Sequence, residues 1–172
     1  SDYYATKADY DKVVATLEPF LDKLSNLPAH LKGQVLFSLV DAYRGLTEVA
    51  KVLRYGAEAL KLYQALGDDL KQAQLHAHLG DAYIRFSALH EALEHYLAQL
   101  ELLKSRGAPL AEPYAGIGGV YMQLGDYENA LTFLQEGLDR AQQEDNEIVA
   151  GRCIGNMANV YRRTNNHAKS LT

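Results

Sequence analysis

Three arginines and two asparagines stand within twelve residues of one another near the C-terminal end: Arg152, Asn156, Asn159, Arg162 and Arg163. A guanidinium is a planar fork that can grip a carboxylate with two hydrogen bonds. An Asn amide donates to a carbonyl and accepts from an N–H, which suits recognition of a peptide backbone whatever its side chains. The chemistry these residues suit is the docking of an acidic peptide or a C-terminal carboxylate. Arg162 and Arg163 would supply charge-assisted bonds, Arg152 further charge, and Asn159 the backbone contact, with Asn156 beside it. The plainer reading is that Arg is a common solvated helix residue, and that the asparagines bond between helices and set their angle.

Other chemistries find no support. His76 and His78 are two apart and point to different helix faces, while His90 and His95 stand further on. No His-x-x-x-His pair and no Cys cluster supports zinc. The paired acids Asp68-Asp69 and Glu144-Asp145 fall where turns are expected, and N-capping explains them. No phosphate loop, nucleophile motif or metal-ligand spacing is present, so no catalytic residue, metal, cofactor or enzyme activity is expected. A formal net charge of −5 argues against generalised binding to nucleic acid or anionic lipid. No apolar run approaches the roughly 18 residues of a membrane span. The lone Cys153 allows no intrachain disulfide and makes a reducing cytoplasm the natural compartment. Its place, eight residues before a recurring tyrosine, is that of a structural thiol.

The elements that must position these groups are repeats. Tyr4, Tyr43, Tyr83, Tyr121 and Tyr161 are separated by 39, 40, 38 and 40 residues. Four residues before the last four of them lie Leu39, Leu79, Ile117 and Met157, and three before lie Val40, Gly80, Gly118 and Ala158. Ten after each tyrosine come Val14, Leu53, Leu93, Leu131 and Leu171. Two apolar stripes with helical 3–4 steps fill each period, broken by a short polar turn. Small residues at fixed places let the paired helices approach closely. The expected fold is all-α: a solenoid of antiparallel helix pairs, with eight full or nearly full helices and a truncated last one.

The pattern resembles the tetratricopeptide repeat (TPR) family. The residues that carry the resemblance are His76-x2-Leu79-Gly80-x2-Tyr83 with Ala92-x3-Tyr96, then Tyr114-x2-Ile117-Gly118-x2-Tyr121 with Ala130-x3-Leu134. Val40 and Ala158 replace the Gly in the other two copies. The period is near 40 where the family usually shows about 34, and the closing Pro is missing. That is similar to the long-repeat subclass of kinesin light chains, Pins-type adaptors and bacterial sensor domains.

The resemblance implies a right-handed superhelical solenoid in which the first helix of each pair lines a concave groove, with side chains at −9, −6, −2, +1 and +2 from each tyrosine. The expected groove residues are Gln34, Phe37, Asp41, Arg44 and Gly45; Gln74, Ala77, Asp81, Ile84 and Arg85; Glu112, Ala115, Gly119, Met122 and Gln123; and Arg152, Gly155, Asn159, Arg162 and Arg163. Asn156 is adjacent, in a stretch similar to the peptide-holding helices of the Pins-type adaptors. Five arginines against three acids give this surface a cationic surplus, unless Asp41 or Asp81 pairs with Arg44 or Arg85. The implied function is a protein- or peptide-binding scaffold. The alternative is a ligand-responsive sensor domain of a bacterial signalling or transcription-regulatory protein.

The chain reads as a single repeat domain over 1–172: a partial unit at 1–27, units near 29–67, 69–107 and 109–145, and a partial unit at 146–172. Gly125-Asp126 and Asn165-Asn166 should divide helices of a pair, and Gly67 and Gly107 should end second helices. Pro19 should kink or shorten the helix it falls in. Both ends cut a unit, so the chain is expected to be a piece of a longer protein, with homo-oligomerisation through its ends as a third possibility.

Overall fold

The computed structural model describes the backbone of residues 2–170 and the side chains of residues 7–165. Eight α-helices are described, with one 3₁₀ stretch and no strand among the described residues. They are α1 (Asp2–Leu17), a 3₁₀ segment (Glu18–Asn26), α2 (Ala29–Gly45), α3 (Val49–Leu66), α4 (Asp69–Arg85), α5 (Leu89–Ser105), α6 (Ala111–Leu124), α7 (Tyr127–Gln143) and α8 (Glu147–Ser170). The chain forms two compact bodies, residues 1–87 and residues 88–172.

The repeat is visible in the backbone as well as in the side chains. Four residues after Tyr43, Tyr83 and Tyr121, the turn inside a helix pair needs a left-handed residue: Thr47 (φ 62°), Ser87 (φ 57°) and Gly125 (φ 81°) fill it. Twenty-four after the tyrosine, the turn that follows the pair needs another: Gly67 (φ 68°), Gly107 (φ 61°) and Asp145 (φ 52°). Thr47 is β-branched and the least comfortable of the six, because its Cβ crowds the carbonyl in that region.

The ends of the helices are capped as the turn chemistry demands. Asp68 accepts from the Lys71 N–H at 3.0 Å, and Asp126 from the Asn129 N–H at 3.2 Å. At the second acidic pair the capping differs from expectation. Asn146 receives the Val149 N–H at 3.1 Å, while Glu144 reaches across and accepts from the backbone N–H groups of Leu110 and Ala111 at 2.7 and 3.2 Å. Leu110 and Ala111 lead into α6, whose first N–H groups have no partner within the helix, and the carboxylate supplies it.

In the first body the core gathers Leu36, Leu39, Val40, Tyr43, Val52, Ala59, Tyr63 and Leu75. Tyr43 is 1% exposed; its ring stacks on Tyr55 at 5.7 Å and its hydroxyl donates to Glu18, which Lys51 also reaches at 3.2 Å. The two donors hold the Glu18 carboxyl below its ordinary pKa, and burial followed by the Glu18 bond pushes the Tyr43 phenol up. In the second body Ala115, Ala130, Leu134, Val149, Cys153 and Val160 form the core, with Tyr121 stacked on Phe133 at 5.5 Å. Tyr83 and Tyr121 are half-buried, whereas Tyr161 is 53% exposed. Cys153 is fully buried, and burial raises its thiol pKa, so it behaves as a small apolar filler.

Two expectations about the ends are corrected and one is borne out. At the N-terminal end α1 runs unbroken to Leu17. Pro19 does shorten that helix, and the chain tightens into the 3₁₀ segment that begins at Glu18. Asn165-Asn166 is no turn, since α8 continues through both to Ser170. Asn permits the left-handed conformation without compelling it, and a continuing helix keeps its backbone N–H groups bonded. With no break at 165, the truncated ninth helix is absent among the described residues. Tyr4, Ser170 and Leu171 lie outside the described side chains.

Candidate functional site: the exposed faces of the first helices

In each body two first helices pack side by side, α2 with α4 and α6 with α8. Residues nine and two before the tyrosine and two after it fall on one face of each helix, by the 3.6-residue turn. On α2 and α4 these are Gln34, Asp41 and Gly45, and Gln74, Asp81 and Arg85. On α6 and α8 they are Glu112, Gly119 and Gln123, and Arg152, Asn159 and Arg163. Gln34, Gln74, Asp81, Arg85, Gln123, Arg152 and Arg163 are exposed, and Asp41 and Asn159 half-buried.

Other expected positions do not form part of an open surface. Met122 is only 9% exposed and belongs to the core of the second body, as does Ala115. The places one after and six before the tyrosine turn towards the next first helix where one is packed there. Phe37 is half-buried for that reason. Its ring lies 6.2 Å from Tyr63 edge-on and 6.0 Å from His78, with the Lys71 ammonium 3.8 Å above it.

Sequence reasoning named Asn156 but not the offset of −5 that it shares with His78; that offset faces the preceding first helix. It carries His78 on α4 and Asn156 on α8. His78 Nε2 meets Asp41 Oδ1 at 2.9 Å and ties α4 to α2. The Asn156 amide lies beside Gly119 on α6, 3.5 Å from where a Cβ would stand. The signal is in the sequence: His78 and Asn156 occupy the same step of the repeat. Nor did Asp41 pair with Arg44 as a bland surface would have it; its bonded partner is His78.

The cations differ between the bodies. In the second, Arg152 is held by Glu112 at 2.7 Å, and Arg162 donates to Asn159 at 2.9 Å. Arg152 is thereby largely neutralised. In the first body neither Arg44 nor Arg85 is ion-paired with a described residue, and both border a cavity of about 550 Å³. Its wall is Val49, Val52, Ala82 and Ile84, its polar rim is Arg44, His78, Asp81 and Arg85, and the Tyr10 ring closes one side. Gly45 makes that closure possible, because any Cβ there would collide with the Tyr10 ring. The site offers two guanidiniums above an apolar wall. No cluster of three or more His, Cys, Asp or Glu side chains among the described residues is placed to hold a metal ion. No described helix is long and apolar enough to cross a membrane.

Burial works to raise the Asp41 pKa, but the His78 bond and charge, with Arg44 and Lys71 beyond, outweigh it, and the carboxyl titrates below its ordinary 3.8. A depressed carboxyl contributes stability that is complete above about pH 4 and is lost as pH falls through the lower folded value. His78→Ala should therefore destabilise the fold in urea melts at pH 5, and the difference from wild type should shrink by pH 2. The effect should not exceed about 1 kcal/mol, because the Asp41 side chain is 42% exposed and solvent screens the pair.

Residues 110–172 match the tetratricopeptide repeat family model. Over 171 residues the chain is 26% identical to response regulator aspartate phosphatase H of Bacillus subtilis (strain 168), covering 94% of this chain and 43% of that protein. It is 23% identical over 150 residues to the 43 kDa receptor-associated protein of the synapse of Tetronarce californica, covering 84% and 36%. The chain thus spans about two-fifths of the length of these curated relatives. Among solved structures, the apo form of RapI aligns over 98% of this chain and 50% of its own, with a TM-score of 0.80 at 18% identity. BtubC from P. vanneervenii aligns over 90% and 66%, at 0.71 and 19%. A STAND signal-transduction ATPase with a tetratricopeptide repeat sensor, from Pyrococcus horikoshii, aligns over 94% and 26%, at 0.70 and 20%. Residues 110–172 are therefore tetratricopeptide repeats, and the all-α fold of the described chain is that of proteins built from them.

Proposed function

We propose that the chain is a non-catalytic binding module that takes an extended segment of a partner protein on the exposed faces of its first helices. The cavity of the first body is the observation that carries this reading. Arg44 and Arg85, neither ion-paired with a described residue, stand beside an apolar wall, which suits a peptide side chain seated on Val49, Val52 and Ile84 with a carboxylate held at the rim. In the second body Gln123, Asn156, Asn159 and Arg163 offer amides and a guanidinium to peptide backbone and acidic side chains. An acidic or carboxylate-terminated peptide is the ligand class that fits both.

The test is enrichment from a pooled peptide display library, followed by titration of the enriched synthetic peptide at two ionic strengths. Arg44→Ala with Arg85→Ala should weaken binding about tenfold or more. Raising salt should weaken the wild type more than the double variant, since screening acts on exposed pairs. Asn159→Ala should weaken binding with little change in salt dependence, because an amide is neutral. A double arginine variant that binds as the wild type does would reduce the cavity rim to a solvated surface.

A second reading is a sensor segment of a longer regulatory protein, in which ligand binding alters the helix packing and so a linked domain. It is favoured by the similarity to a protein whose tetratricopeptide repeats are named a sensor, and by the chain spanning half or less of several relatives. Fusing residues 1–172 to a reporter domain and finding activity unchanged by a bound peptide would count against it.

A further inference from the structure

We propose that the outward face of α8 is a self-association surface, on which two copies of this chain pair antiparallel, α8 against α8. The claim is independent of peptide binding. The face consists of Glu147, Ile148, Gly151, Ile154, Gly155, Ala158, Tyr161 and Arg162, which one helix turn after another brings to the same side. All eight are exposed; Ile148 is 86%, Ile154 56% and Tyr161 53% accessible. A Cβ added at Gly151 or Gly155 would meet nothing within 4 Å.

The second body itself shows what such a face accepts. On α6 the places forty residues earlier are Tyr114, Gly118 and Tyr121, and α7 lies on them. Phe133 of α7 sits 6.0 Å from the Tyr114 ring and 5.5 Å from the Tyr121 ring, and Leu134 occupies the space above Gly118. On α8 the corresponding residues are Ile154, Ala158 and Tyr161. At these three places the repeat seats an antiparallel helix.

The face is complementary to itself. A twofold axis passing between Ile154 and Gly155 sets each residue level with a chemically suited one on the other copy. Glu147 comes level with Arg162, Ile148 with Tyr161, Gly151 with Ala158 and Ile154 with Gly155. Opposite charges close both ends, large apolar groups fill the next layer, and the small residues at the centre let the two backbones approach. Antiparallel α8 helices also oppose their dipoles favourably. A helix of different sequence, whether from another protein or from a longer polypeptide, would not share this register, and that difference makes the choice of occupant testable.

Sedimentation of the 172-residue chain over a range of concentrations is the experiment, with circular dichroism to confirm folding. Wild type should show a reversible monomer–dimer equilibrium. Ile154→Lys, which buries a charge at the axis, should raise the dissociation constant about tenfold or more. Glu147→Arg and Arg162→Glu should each weaken the dimer, and the double swap should restore it. Gly155→Cys should give a disulfide-linked dimer on mild oxidation, because the twofold brings the two positions together while Cys153 is buried. A wild type monomeric at every concentration would overturn the proposal. So would single swaps that weaken with no recovery in the double, which is the result expected of a different helix on this seat. The cysteine variant is read separately from Ile154→Lys, so misfolding of one leaves the other decisive.

Discussion

Leu79→Ala should lower the stability of the fold by about 2–5 kcal/mol, the range for removing a large buried aliphatic side chain. Leu79 is 3% exposed on α4, four residues before Tyr83. One of its methyl carbons stands 2.9 Å from the point where a Cβ on Gly56 of α3 would lie. Leu79 therefore fills the notch that the missing side chain of Gly56 leaves. After truncation no side chain at Gly56 can move in, so the void stays open and the cost should sit in the upper part of the range. Equilibrium urea melts measure it directly. A loss under about 0.5 kcal/mol would mean that this face of α4 is not interior.

Gly118→Leu should be comparably damaging for the opposite reason. Its Cβ alone would stand 2.6 Å from Leu134 Cγ and 3.0 Å from the Leu134 backbone nitrogen. A side-chain tip can swing aside, but a backbone nitrogen of α7 cannot without shifting the helix. Overpacking of this kind costs about 1–3 kcal/mol or more. Gly151→Ala is the matched control. Nothing lies within 4 Å of the new carbon, so the fold should gain up to about 1 kcal/mol from better helix propensity alone. Equal melting behaviour of the two variants would contradict the packing described for α6 and α7.

These positions also show how far the sequence could be read. Leu79, Ile117 and Gly118 recur at fixed distances from a tyrosine, and a pattern repeated several times in phase separates buried from exposed positions more firmly than one helix could. The positive-φ turns were half legible. Gly67, Gly107 and Gly125 announced themselves, whereas Thr47, Ser87 and Asp145 take the same conformation without the residue type that advertises it. Asn165 erred in the other direction, a plausible turn residue that the helix runs through. Surface assignments suffered most. Offsets around the tyrosine give a direction from one helix axis, but whether that direction is open depends on the neighbouring helix. Met122 and Ala115 were misplaced for this reason, because α6 is packed on several sides. His78 was overlooked because its partner Asp41 lies 37 positions away on another helix, and no local motif links them.

The most direct measurement of the central claim is an amide NMR map of the chain with a peptide enriched from the display library. Binding on the first helices predicts that the largest shifts fall on Arg44, His78, Asp81 and Arg85, with a second set at Asn156, Asn159 and Arg163. Exposed positions of the second helices, such as Gln64 on α3, Glu94 on α5 and Gln135 on α7, should stay put. Shifts concentrated on α3, α5 and α7, with α4 and α8 unmoved, would contradict the assignment and place binding on the opposite faces of the helix pairs.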